Sequence, residues 1–259
     1  MPKLLSMTRH VFALLSVLIC TTATSAAQTK IPMWTYHDFP PFVEDAPQDQ
    51  GIAFEFADLL SAQSDGRYDF VLNVVKRARI NHDLASGAPG MVFGVNNLWF
   101  GDGDRTKYIW TAPLLHERSQ VISTIQNPVE YKGPEGLDGQ VLVGVRGHTY
   151  VGLTERVEAG QIARTDVGSM EAALLFVAAQ RADFAILPQH AVDSYLEKHE
   201  LHSAVHIAEK PHAAYDRMVL ITPSLVEQHP DVAQLVGDVL ASSEWQDLLT
   251  RYDIAHPAK

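Results

Sequence analysis

The stretch "GVRGHTYVGL", Gly144 to Leu153, reads as a strand that stops at a glycine and turns at once into a helix. A helix start gathers backbone N–H groups without intrahelical partners, and Thr149 adds a hydroxyl beside them. Such a corner suits an oxyanion. The plainer reading is that Thr149 caps its own helix. His148 stands in the same corner. Arg77 and Arg79 are spaced by two, so they cannot share a helical face, and at most one can point into a common site. Pro40 and Pro41 hold "DFPPF" in an extended turn, which opens a way for Phe39, with Tyr36 just before it, to face a ligand. Asn96 and Asn97 follow the apolar run "MVFGV" at the edge where parallel sheets take ligands, and Trp99 either walls a ligand or packs. His199, His202 and His206 lie close together, but there is no HxxxH-with-Glu motif and no cysteine partner. A helix end followed by a strand scatters such rings, so no metal or cofactor is implied.

The elements that must position these residues repeat one plan. In the first half, "IPMWTY" is a strand and Gly51 to Gln63 a helix, with Ile52, Phe56, Leu59 and Leu60 at the helical period. "YDFVLNVV" is a strand, Ala78 to Ser86 a short helix, and "MVFGV" a buried strand. In the second half, "QVLVGV" is a strand and Thr149 to Glu158 a helix. Ser169 then caps a helix through Ala179, and "FAIL" is a strand. Strands alternating with helices predict α/β architecture with parallel sheets. "SQVISTIQNP" and "HIAEKPHAAYDRMVLITP" join the two units. Beyond them, Val232, Leu235, Val236, Val239 and Leu240 mark one amphipathic helix, and Trp245, Leu248, Leu249 and Tyr252 another.

The N-terminus is set apart. Lys3 and Arg9 precede the apolar run Val11 to Cys20, and Ser25, Ala26 and Ala27 supply small residues, which is the layout of a cleaved secretory signal over 1–27. Its removal leaves 232 of the 259 residues. It takes away the only cysteine, two basic residues and no acidic one, so the net charge moves from −11 to −13. A thiol-free exported chain fits the periplasm. The acidic balance argues against nucleic acid or an anionic membrane as partner, and an anionic ligand needs a local cationic site.

The pieces "DFPPFVED…GIAFEFADLLSA", "LASGAPGMVFGV", "DRTKYIWTAPLL", "LDGQVLVGVRGHTY", "RADFAIL" and "EWQDLLTRY" occur in an order and at spacings that resemble the extracellular solute-binding proteins of family 3, the polar amino-acid type. The resemblance implies a two-lobed periplasmic-binding fold, each lobe a sheet flanked by helices. Lobe one is then 28–124 plus 213–259, lobe two 125–212, with two crossovers between them. It further implies a monomer that captures a small polar ligand in the cleft for an ABC transporter or a sensor. Arg105 takes the position that forks onto a ligand carboxylate, and a guanidinium suits this because its paired donors match two oxygens. The plainer reading pairs Arg105 with Asp102 or Asp104. Tyr36 and Phe39 become aromatic walls, Arg77 a lobe-one cation, Asn96 and Asn97 edge donors, and His148 and Thr149 the lobe-two corner. Where the family holds an α-ammonium with an acid, this chain has Pro188, and the adjacent Gln189 accepts a hydrogen bond but cannot neutralise a cation. An enzymatic alternative, the cyclohexadienyl dehydratase type, needs an acid close behind the glycine–threonine corner. Here Glu155 falls well into the expected helix, which favours binding over catalysis.

Overall fold

The computed structural model describes residues 28–255. The expected leader over 1–27 lies outside them. Among the described residues no helix is long and apolar enough to cross a membrane.

The first unit runs β1 (Thr29–Thr35), α1 (Ile52–Gln63), β2 (Tyr68–Val74), α2 (Arg77–Ala85) and β3 (Met91–Val95). Its strands lie parallel in the order β2, β1, β3. They are apolar because both faces are covered. Ile31, Met33 and Phe93 pack beneath α1, while Trp34, Val92 and Ile80 pack on the side of α2. After β4 (Ile109–Trp110) and β5 (Leu115–Thr124), the second unit runs β6 (Val141–Val145), α3 (Thr154–Glu158), β7 (Ala163–Val167), α4 (Met170–Ala178), β8 (Phe184–Pro188), α5 (Gln189–Lys198) and β9 (Val205–Ile207). Here β7, β6 and β8 are parallel. Ser169 caps α4 by accepting from Ala172 N at 3.1 Å.

The return passes through β10 (Ala213–Ile221) to α6 (Pro223–Gln228), α7 (Val232–Ala241) and α8 (Ser243–Arg251). Both α7 and α8 pack on α1 of the first unit, and the Trp245 ring meets Phe56 edge-on at 5.1 Å. The two units meet in β5 and β10. Residues 115–119 of β5 pair with 213–217 of β10, residues 119–123 pair with β8, and 122–124 pair with β9. The other end of β10 pairs with β3. These antiparallel strands are therefore common to both halves of the sheet.

One expected element is corrected. No helix begins at Thr149; α3 is five residues long and starts at Thr154. Gly147 and Gly152 sit at φ +82° and +76°, left-handed values that an α-helix cannot continue through. The buried Tyr150 folds back so that its Oη accepts from Val145 N at 3.1 Å. Arg164 Nη2 donates to His148 O at 2.9 Å and holds the turn down.

Candidate functional site

The chemistry gathers where β5 and β10 pair. Side chains alternate across a strand, so Tyr215 and Arg217 share one face of β10 with Val219, and Glu117 and Ser119 share one face of β5. Arg217 and Glu117 are both 1% exposed. Arg217 Nε donates to Glu117 Oε2 at 3.3 Å, and Nη1 donates to Gly94 O at 2.8 Å and to His37 Nε2 at 3.1 Å. Gly94 lies in β3 at φ +76°, where the register with β10 slips. This glycine bulge turns a strand carbonyl out of the ladder and toward the guanidinium.

Glu117 reaches the second unit from the same point. Its Oε1 accepts from Gln189 N at 3.1 Å, the first residue of α5, and its Oε2 meets His190 Nδ1 at 3.1 Å. Burial acts to raise the Glu117 carboxyl. The His190 hydrogen bond, the Arg217 charge and the Arg118 N–H outweigh it and hold the carboxyl below the ordinary glutamate range. His37 goes the same way for other reasons: burial first, then the Arg217 charge, push its pKa far down, so it stays neutral and accepts from Arg217. Rings close in around the guanidinium, with Phe42 at 4.7 Å, Trp99 and Tyr215 at 5.5 Å and Phe39 at 5.9 Å from Cζ.

A second arginine stands beside this cluster. Arg77 Nη1 donates to Tyr36 Oη at 3.0 Å and Nε to Asn81 Oδ1 at 2.9 Å, while Nη2 donates to Trp99 O. Its guanidinium lies 3.8 Å from the Phe100 ring. Every one of these partners is neutral. Arg79 turns the other way, onto Asp83, as a spacing of two requires. Burial raises the Tyr36 phenol, and the charges of both Arg77 and Arg217 oppose it, so both cations act on one place.

The other sequence-predicted residues divide. His148, exposed on the corrected turn, acts electrostatically on His37 and feels Asp38, so the lobe-two corner faces the end of β1. Gln189 sits at the start of α5 beside Gln120, whose Nε2 donates to it at 3.3 Å. Gln120 Oε1 is buried without a donor among the described residues. Thr149 is exposed on the turn and begins no helix. The open position expected of Phe39 is not found: its ring is 3% exposed, packed on Phe42 at 5.3 Å, because burial outweighs any tendency of the proline turn to expose it. Asn96 and Asn97 serve the backbone rather than a sheet edge. Asn96 Oδ1 caps the next turn and its Nδ2 donates to Asp216 O, while Asn97 Nδ2 donates to Asp102 O and Gly103 O. Arg105 is exposed at φ +57°. It pairs with neither Asp102 nor Asp104; Asp102 instead accepts from Thr106 N, Lys107 N, Tyr108 N and Trp110 Nε1, which anchors the loop. Among the described residues no hydrogen bond or ion pair joins the Arg105 side chain to the Arg217–Glu117 cluster. His199, His202 and His206 each pair with a different glutamate, Glu171, Glu197 and Glu130.

With this geometry in hand, comparison with solved structures decides the fold. The chain is similar to an ancestral arginine-binding protein bound to arginine, at 12% identity over 88% of this chain and 99% of that one, TM-score 0.68. It is similar to a histidine kinase sensor domain with similarity to periplasmic binding proteins, at 16% identity over 89% and 99%, TM-score 0.69. A structure from Streptococcus mutans, for glutathione import via GshT and a cystine ABC importer, matches at 13% identity over 90% and 98%, TM-score 0.68. The chain has the fold of periplasmic binding proteins. Neither a protein-family model nor a curated protein matches this sequence. The cluster lies where the two units of the sheet meet, in the paired strands β5 and β10.

Sequence reasoning passed over His37, Glu117, Gln120, His190, Tyr215 and Arg217. Two signals were available. Arg217 is the one cation in the apolar run of β10, and Gly94 interrupts the strand "MVFGV", the mark of a bulge or a close backbone approach.

Proposed function

We propose that this protein is a periplasmic solute-binding protein rather than an enzyme. It takes a small polar, carboxylate-bearing ligand between lobe one (28–124 plus 213–259) and lobe two (125–212), and delivers it to an inner-membrane ABC transporter or a sensor. The observation that carries this reading is the charge balance at the hinge. Arg77 and Arg217 act on the same Tyr36–His37 pair. Only Arg217 has a carboxylate partner, Glu117. The result is a locally positive site in a chain of net charge −11. A carboxylate is the small polar group that arginine donors match best. Tyr36, Arg77, His148 and Gln189 are the proposed lining, with Phe39 behind it and Arg105 reaching in from its loop as the cleft closes.

The chemistry supports binding over turnover. Glu117 orients His190 as a base would be oriented, yet among the described residues no hydroxyl hydrogen-bonds to that ring. Glu155 is exposed on α3. Pro188 is buried and offers neither charge nor N–H. Burying an ammonium there without a counter-charge costs several kcal/mol, which favours organic acids and acylated amino acids over free L-amino acids. A thermal-shift screen of these three classes is the test. A ligand at about 100-fold its Kd stabilises by about 2.7 kcal/mol, a rise of roughly 5–11 °C for a chain of this size. Such a rise with organic or acylated acids supports the reading. A rise confined to free L-amino acids overturns the ligand class.

A further inference from the structure

The hinge strands leave one group of donors without a matching acceptor. A guanidinium carries five N–H groups. Glu117, Gly94 O and His37 take the Nε hydrogen and both Nη1 hydrogens of Arg217. Nη2 meets only Tyr215 Oη, at 3.5 Å, so one of its hydrogens has no acceptor among the described residues. Ser119 Oγ lies 3.5 Å from the same Tyr215 oxygen. Both separations are at the outer limit of hydrogen bonding, so the three groups satisfy one another only weakly. Arg217 is buried, whereas Ser119 and Tyr215 are half-buried, so the group borders the surface on their side. Burial raises the Tyr215 phenol, which keeps it protonated and able to donate. The half-buried Trp99 ring stands edge-on to Tyr215 at 5.1 Å, beside these donors.

We propose that Arg217, Tyr215 and Ser119 form the subsite that receives the acid group of an aromatic carboxylate, whose ring lies against Trp99. This rests on the solute-binding reading and seats the acid on the hinge strands, with Arg105 closing on it from its loop. An oxyanion fits because it only accepts, and three convergent donors can each give it a hydrogen bond. A neutral amide in the same place could offer Arg217 only its carbonyl oxygen, with no charge to meet the guanidinium, and its N–H groups could not accept from Tyr215 or Ser119.

The test uses phenylacetate and its uncharged counterpart phenylacetamide, titrated calorimetrically into the purified protein and into Tyr215→Phe and Ser119→Ala. These variants keep the ring and the strand, whereas Arg217→Lys perturbs the core. The expected result is that phenylacetate binds the unmodified protein at least ~10-fold more tightly than phenylacetamide does. Each variant should weaken phenylacetate by roughly 10-fold or more, since each removes one hydrogen bond to a charged group. Phenylacetamide binding and the melting temperature should stay unchanged. If phenylacetate binds both variants as it binds the unmodified protein, the subsite is overturned while the solute-binding reading stands. If other carboxylates bind and phenylacetate does not, the aromatic class is overturned. If no carboxylate binds at all, both readings fall.

Discussion

Replacing Arg217 with methionine removes one partner of a buried ion pair and leaves the other in place. Glu117 then keeps its charge at 1% exposure, and breaking such a pair costs about 3–5 kcal/mol. The structure points to the lower end, about 3 kcal/mol, because Glu117 retains the N–H groups of Arg118 and Gln189 and the His190 ring. At roughly 2–4 °C per kcal/mol for a chain of this size, the melting temperature should fall by about 6–12 °C. The paired variant Arg217→Met, Glu117→Gln removes the uncompensated charge but keeps an acceptor for the two N–H groups. It should recover more than half of the loss, and the non-additivity in a double-mutant cycle measures the coupling. Urea unfolding of the four proteins is the assay. A single-variant loss below about 1 kcal/mol, or costs that simply add, would refute the claim that Arg217 and Glu117 form one buried unit.

The pH dependence follows chiefly from the buried His37. The folded pKa of His37 lies well below its ordinary value, chiefly through burial, and those of His148 and His212 are also lowered. A depressed folded pKa means that stability is full above the unfolded value of about 6.5 and is lost as pH falls below it. Melting temperatures from pH 7.5 to 5 should therefore decline, and His37→Gln should flatten the decline; an unchanged slope would place the proton uptake elsewhere. Arg105→Ala should leave stability within about 0.5 kcal/mol, yet weaken a carboxylate ligand by roughly 10- to 150-fold if the closed cleft brings Arg105 to it. Equal affinity by calorimetry would confine Arg105 to the surface. Tyr150→Phe should cost about 1 kcal/mol, because the buried Val145 N loses its partner, and should raise amide exchange at that position. Unaltered exchange there would mean that the phenol does not hold the turn.

What the sequence disclosed depended on whether the signal was local. The strands and the periodic helices α1, α4, α7 and α8 were legible because burial on one stripe or on both faces leaves a pattern within about fifteen residues. The missing first half of the expected lobe-two helix follows from Gly152, whose left-handed φ of +76° breaks the helical path three residues after Thr149. The hinge pair was not legible for a physical reason. Glu117 and Arg217 are 100 positions apart, and each alone reads as a solvated charge on a strand. Only the pairing of β5 with β10 puts them on one buried face. His37 and His190 are equally ordinary until that pair is placed between them.

The central claim is that the hinge site holds a carboxylate and returns it unchanged. Calorimetric titration of the best organic or acylated acid from the screen, followed by NMR of the recovered small molecule, tests both halves at once. The account predicts one ligand per chain, affinity weakened at least ~10-fold by amidation of the acid group, and a recovered molecule identical to the one added. A product differing from the added acid, or equal affinity for the acid and its amide, would contradict it.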